Sequence, residues 1–266
     1  MTLLSALFIL CASVLFLFPV WLGIEFFVST SPDSWWLTDW FPEEHIFGLL
    51  LPMTGTLMLV GLTFPLTMII AFICGMGLSE IRHHSLKKIS LSLLQTWNSV
   101  PSIIIGLWGM SSVIPVIRTV YGTGYCYLTT AFCLMLLMLP SVMILIYHCY
   151  LDFLNEYRYL NRSLEISGYE EALFFIRCYP EKLAQISCYS LGRIFGETTV
   201  VLMLSGNSID LSLNPFSGFR SLSATLALEM PYSSGIHQSA LFGIAGLSLL
   251  ITGCFCLLSL GGRVDR

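Results

Sequence analysis

The sequence predicts an all-α integral membrane protein, a single bundle of six helical spans, and three observations carry that prediction. Of its 266 residues 56% are hydrophobic and only 11% charged, against about 25% charged in ordinary soluble domains. The apolar residues gather into stretches long enough to cross a hydrocarbon core as helix, which takes about 20 residues. The alternation of apolar and polar residues that marks a membrane barrel strand is absent from all of them, which leaves helices as the way to satisfy backbone groups at membrane depth.

The stretches run approximately over Leu3–Val28, Ile46–Leu78, Val100–Ile117, Tyr125–Tyr150, Lys182–Leu204 and Ile236–Leu260. In the first, Met1-Thr2 supplies no basic n-region and the run continues through Phe26-Phe27 without a small-residue cleavage site, which favours a retained span over a secretory signal. The second is interrupted by Pro52 and Pro65 and carries Gly55, Gly61, Gly75 and Gly77, residues that kinked and closely packed membrane helices tolerate. It ends in the charged turn LSEIRHHSLKK. Ser85–Ser99 is intermediate in polarity, and Pro101 disfavours helical geometry at Val100. A short membrane-edge helix followed by the third span is therefore expected. After the fourth span, Leu151–Glu181 is the longest polar segment; Gly168 reads as a turn between two short amphipathic helices, and Pro180 restarts the chain into the fifth span. The apolar faces of such a hairpin need covering, by a partner or by the protein's own spans. Before the sixth span, Ser208–Gly235 is long enough to form a lid or to contact a soluble partner, and His237 beside it is expected to be solvated.

The net charge of −4 says less than its distribution. With both termini cytoplasmic, the inside segments hold Arg82, Lys87, Lys88, Arg158, Arg162, Arg177, Lys182, Arg263 and Arg266, and the outside segments only Arg118 and Arg220. That is a strong positive-inside bias. The outside segment Ser29–His45 holds Asp33, Asp39, Glu43, Glu44 and three tryptophans, as an interfacial loop would. The nine cysteines lie within or beside the apolar runs without a C-x-x-C framework and read as small buried hydrophobes. No linker or low-complexity tract divides the chain, so one transmembrane domain over residues 1–266 is expected. No histidine–carboxylate cluster points to a catalytic metal and no Gly-rich Walker loop is present, so any ATP is hydrolysed elsewhere.

The remaining basic residue, Arg193, lies with Glu197 inside the fifth apolar run, in SLGRIFGETTVVLMLSG. Charges at membrane depth are costly and mark interiors, cavities or solute paths. On a continuous helix this spacing places both side chains on one face, about 5–6 Å apart at Cβ, where they either pair or point into one cavity. The guanidinium presents a planar fork of donors that suits phosphate oxygens; its plainer role is a structural salt bridge. Two accounts of Glu197 stand: it restrains the arginine until the path opens, or it accepts the proton of hydrogen phosphate. Gly192 and Gly196 form a G-x-x-x-G pattern expected to serve helix packing. Thr198, Thr199, Ser205 and Asn207 are donors toward a solute or toward backbone carbonyls, and Thr198 joins the candidate pathway residues. Ser102 reads as a helix cap.

Several stretches, in order, resemble the PstC-type permease of the phosphate-specific ABC importers: PMTGTLMLVGLTFPLTMIIAF, NSVPSIIIGLWGM, MLPSVMILI, GRIFGETTVVLMLSGN, SLSATLALEM and GIHQSALFGIAGLSLL, which together cover most of residues 47–260. The resemblance implies a six-span type I ABC permease (MetI-like) in the inner membrane, forming half of a path for inorganic phosphate. It performs no bond chemistry and binds no cofactor; ATP is used by partner subunits. The implied partners are a homologous second permease, a dimeric ATP-binding subunit, a periplasmic phosphate-binding protein and the lipid bilayer, with no nucleic acid. Residues 151–181 would form the coupling hairpin, with Gly168, Glu170, Glu171 and Pro180 facing the ATPase, although the family's EAA positions read Arg162-Ser163-Leu164. Alternatives are a permease for sulfate or molybdate and a non-transporting sensor or assembly subunit. An intramembrane enzyme or a secondary transporter would show a second acid–base centre or inverted repeats, and neither is evident.

Overall fold

Each of the six apolar runs is helical in a computed structural model that describes residues 2–157 and 168–261. Helix α1 spans Thr2–Ser29, α2 Leu50–Glu80, α3 His84–Asn98 and α4 Ser102–Val120, the last with a π-helical turn at Gly109–Val113. They are followed by α5 (Tyr127–Glu156), α6 (Tyr169–Cys178), α7 (Pro180–Gly196), α8 (Thr199–Leu204), α9 (Leu222–Glu229) and α10 (Ile236–Gly261). Among the described residues, α2, α4, α5 and α10 are long and apolar enough to cross a membrane, and the Phe16–Ser29 part of α1 is a shorter apolar piece. The break expected at Pro101 is present: α3 stops at Asn98 and α4 starts at Ser102. Pro52 does not interrupt α2, because it lies in the first turn, where its missing N–H has no helical partner to lose; Pro65 is the one inside the helix.

The fifth run departs from expectation. It is not one helix but two, α7 and α8, separated at Glu197-Thr198.

The bundle centres on α5, the most enclosed of the spans. Its Leu134, Met138, Cys133 and Ala131 are buried against Leu59 and Val60 of α2, Ile105 of α4, Ile194 of α7 and Val200, Val201 and Leu204 of α8. Helices α1 and α10 pack together at one side, where Gly23 lies against the backbone of Gly243: a Cβ at Gly23 would fall 2.7 Å from the Gly243 Cα. Small residues at membrane crossings let backbones approach in this way.

At one end of the bundle an aromatic cluster joins α6 to the spans. Phe175 is fully buried, stacks on Phe72 of α2 with centroids 5.8 Å apart, and contacts Tyr150, Phe153 and Tyr179. Half of the expected hairpin is thus packed beneath the protein's own spans. Its other helix and the Arg162-Ser163-Leu164 segment lie outside the described residues. Tyr179, between α6 and α7, donates its hydroxyl to Glu156; burial, then that carboxylate, holds its ionisation well above the ordinary phenol range.

At the opposite end, residues 40–47 form a two-stranded antiparallel hairpin pairing Trp40 with Phe47 and Phe41 with Ile46. Trp40 is buried against Phe26, Phe47, Leu222 and Leu241 rather than sitting at an interface. A hairpin whose turn closes through His45 in the left-handed region (φ 57°) folds the indole inward, which the composition of this loop did not indicate. The segment between α8 and α9 also turns inward: Phe219 stacks on Tyr127 at 3.9 Å, and the Leu222 N–H donates to Thr56 Oγ1 at 3.0 Å.

Gly55 is what lets this segment lie on α2, since a Cβ there would collide with the Arg220 carbonyl oxygen, whereas nothing lies within 4 Å of one at Gly61. Gly55→Ala is therefore expected to cost about 1–3 kcal/mol through overpacking and to lower the thermal denaturation midpoint in detergent. Gly61→Ala on the same helix should leave the midpoint unchanged or raise it; equal effects would contradict the close approach.

Candidate functional site

The interruption of the fifth span is built by the local sequence. Helix α7 ends at Gly196, and Glu197 leaves the helix with φ −76° and ψ 122°, its N–H bonded to the Ile194 carbonyl. Thr198 follows at φ −110° and ψ −45° as the residue preceding α8, and its carbonyl accepts the Leu202 N–H at 2.8 Å. The extended ψ at Glu197 turns its side chain toward α8, where Oε1 accepts the Val200 N–H at 3.3 Å. The carboxylate therefore does the work of a helix cap and places negative charge at the end of α8 that favours it. The Glu197 carbonyl is taken by the Ser223 hydroxyl at 3.1 Å, which ties the break to α9.

Arg193 goes elsewhere. It sits in the last turn of α7, half-buried, with Nη1 donating to the Tyr189 hydroxyl at 3.1 Å. The expected same-face pair with Glu197 is not formed: the four-residue spacing holds only on a continuous helix, and the helix stops between the two residues. A cation in the last turn of a helix is favoured by the exposed carbonyls there, so Arg193 has a stabilising environment without the carboxylate. Tyr189, Arg193 and Gly196 share one side of α7. Tyr189 and Gly196 are exposed, and a Cβ at Gly196 would meet nothing within 4 Å. Gly192, by contrast, faces α10, where a Cβ on it would lie 3.6–3.9 Å from Thr252 and Phe255. The two glycines thus do not form one packing seam within the chain.

The other polar residues of the segment serve the backbone. Asn207, at φ 50°, donates from Nδ2 to the Leu202 carbonyl at 2.9 Å, and the Ser205 hydroxyl bonds Asn207 Oδ1 at 3.0 Å, closing the far end of α8. Ser102 starts α4 without being its cap residue, which is Pro101. In the last turn of α4, Arg118 borders a cavity of about 600 Å³ with Gly122, Thr123, Tyr125, Gly206 and Ser208. Sequence reading counted Arg118 only as an outside charge; its place beside the turn that follows α8 needed the fold.

A second polar centre was missed. Glu229, at the end of α9, accepts from Arg220 Nη1 at 2.6 Å and from Trp40 Nε1 at 2.8 Å, and lies 2.9 Å from His237 Nε2. The three ionisable side chains are only 14–19% exposed. His237 is accordingly no solvated loop residue: it lies in the first turn of α10 and stacks on Phe47 at 5.9 Å. This centre clamps the hairpin, the segment after α8 and α10 together, and its partners come from segments about two hundred residues apart, at a separation of 189 between Trp40 and Glu229.

Of the coupling residues, Gly168 is described at φ 60° and ψ −117°, a backbone state that favours glycine. Glu170 and Glu171 lie in the first turn of α6 and Pro180 in that of α7. Tyr169, Leu173 and Ile176, at helical spacing, form an exposed apolar stripe opposite the buried Phe175.

No family model matches the chain. It is similar to several curated proteins named phosphate transport system permease protein PstC. That of Haemophilus influenzae is 26% identical over 249 residues, covering 84% of this chain and 78% of the relative. Those of Pasteurella multocida and Xylella fastidiosa are 24% and 22% identical, covering 82% and 86% of this chain and 75% of each relative.

The capping role of Glu197 separates shape from charge. Glu197→Gln keeps an acceptor for the Val200 N–H and should leave thermal stability within about 0.5 kcal/mol, whereas Glu197→Ala should lose about 1 kcal/mol. Glu229→Ala, which strands Arg220 and His237 in a mostly buried site, should cost more, about 3 kcal/mol. A ranking of the denaturation midpoints with Glu197→Ala lowest would contradict this assignment.

Proposed function

We propose that this chain, a PstC-type permease, forms half of the translocation path of an ATP-driven importer of inorganic phosphate. The observation that carries the reading is the interrupted fifth span: a helix that stops within an apolar run, with a half-buried arginine in its last turn flanked on the same side by the exposed Tyr189 and Gly196. Interrupted helices are where transporters place solute sites, because backbone groups and charges at the ends face a cavity. The side of α7 that exposes Tyr189 and Gly196 would face a homologous second permease, so that the path runs between two subunits.

Arg193 supplies the attraction in this reading. Its planar fork matches two oxygens of a phosphate dianion, and its bond to the neutral Tyr189 hydroxyl leaves its full charge available. Glu197 acts by holding α8 in place, and its carboxylate, directed at the Val200 N–H, is kept off the guanidinium. Thr198 stands at the break itself, with Gly196 opening space beside it.

The proposed setting is the inner membrane, with both termini cytoplasmic. A periplasmic phosphate-binding protein would deliver the solute at the hairpin end of the bundle, and a dimeric ATPase would dock at the end bearing α6. Gly168, Glu170, Glu171 and Pro180 would form the coupling segment, with the Tyr169–Leu173–Ile176 stripe entering the ATPase groove. ATP hydrolysis belongs to that partner.

Labelled phosphate uptake in a deletion strain tests the site. Arg193→Gln, losing charge-assisted bonds worth about 1.5–3 kcal/mol, should lower the initial rate about tenfold or more with the complex still assembled; Arg193→Lys should fall between the two. Uptake lost in the deletion but unaffected by Arg193→Gln would keep the transporter and reject the site. For the coupling face, Leu173→Glu should reduce both uptake and co-purification of the ATPase, since an ionised carboxylate set into an apolar contact costs more than the about 1–3 kcal/mol of a neutral polar group. Full uptake in that variant would remove α6 from the docking surface.

A further inference from the structure

A charged turn follows α2. Its sequence, IRHHSLKK, leads into α3, whose residues divide into three sides. Lys87, Ser90, Leu91 and Leu94 are its less exposed positions, turned toward the bundle. Leu86, Ile89, Leu93 and Trp97 are exposed and form an apolar stripe. His84, Lys88, Ser92 and Gln95 form a polar stripe about half a turn away from the apolar one. A helix divided in this way sets its apolar stripe against lipid or a neighbouring span and its polar stripe against water or a polar ligand.

The polar stripe has a cavity in front of it. About 670 Å³ in volume, it is lined by His84, Lys87, Lys88, Ser92 and Gln95, with Leu91 and, from α5, Tyr147 beside them. No carboxylate lines it. Lys87 is held in place, its Nζ donating to the Ser79 carbonyl at 3.1 Å and lying 5.2 Å from the centre of the Tyr147 ring. Lys88 has no ion pair or hydrogen bond among the described residues. The cavity lies at the α6 end of the bundle, because α2 and α5 run side by side and Phe72 near the end of α2 meets Phe175 of α6.

We infer that this cavity is a binding site for a phosphate group, distinct from the Arg193 region, with Lys88 as the charged contact and His84, Ser92 and Gln95 as further donors. Two lysines and an imidazole without a lining carboxylate select an anion, and the hydroxyl and amide supply the further donors that a tetrahedral oxyanion uses. The phosphate group belongs either to a free anion or to the headgroup of an anionic lipid at the membrane edge, where basic pockets between spans recognise such headgroups. The inference rests on binding and not on the transport reading, so failure of uptake by an Arg193 variant does not bear on it.

The test uses the full chain with its co-purifying subunits in nanodiscs. One arm measures binding of labelled inorganic phosphate in phosphatidylcholine discs; the other measures phosphatidylglycerol retained in native mass spectrometry. The variant His84→Gln/Lys88→Gln should weaken one of the two probes by about tenfold or more; loss of inorganic phosphate identifies a free-anion site and loss of phosphatidylglycerol a lipid site. Lys88→Arg should retain binding, and Arg177→Gln, which removes a basic residue outside the cavity, should bind as the unaltered protein does. Unchanged binding of both probes in the double variant, or an equal loss in Lys88→Arg or Arg177→Gln, overturns the assignment.

Discussion

A backbone group inside an apolar interior has no water to satisfy it, so a helix can stop there only where other protein groups take over its free N–H and C=O groups. The break at Glu197-Thr198 meets that constraint with three substitutes: the Glu197 carboxylate for the Val200 N–H, the Ser223 hydroxyl for the Glu197 carbonyl, and Asn207 for the Leu202 carbonyl at the far end of α8. The placement of α9 follows, since Ser223 is its second residue and Leu222 is anchored on Thr56 of α2. The close approach at Gly55 and the stacking of Phe219 on Tyr127 belong to the same arrangement. Loss of any one substitute would leave an unpaired group in an apolar interior.

This constraint also orders the functional reading. Because Glu197 is engaged in capping, Arg193 keeps a charge uncompensated by a carboxylate among the described residues, on the side of α7 that bears Tyr189 and Gly196. A salt bridge between the two would have neutralised both and left the interruption without a charged group. The clamp at Glu229 holds the return segment from the other side: Arg220 is adjacent to Phe219 and Ser221, so its bond to Glu229 fixes the stretch of chain that leads to Ser223 at the break.

Much of the fold was legible in the sequence. Apolar runs located the spans, Pro101 located the α3–α4 break, and Gly168 with Pro180 located the limits of α6, because in each case the determinant is local: chain length against bilayer thickness, a ring clash, a backbone state that favours glycine. Arg193 and Glu197 were legible as unusual charges. Their relation was not. Whether the helix continues from one to the other depends on acceptors and donors that come from Ser223 and Val200, and no local rule reads those. The burial of Trp40 and His237 was invisible for the same reason: the partner of both is Glu229, which lies far from Trp40 along the chain.

The sequence by itself determined that the chain is a helical membrane protein with six apolar runs, an arginine and a glutamate four residues apart inside the fifth of them, and a basic turn after the second, since these follow from composition and spacing alone. Only the tertiary structure decided that the fifth run breaks at Glu197, that the arginine and the glutamate part company there, and that Glu229 closes the opposite end. The physical reason is that a polar group inside an apolar bundle takes the partner that packing brings within about 3 Å, and that partner is set by the meeting of helices rather than by neighbours in sequence.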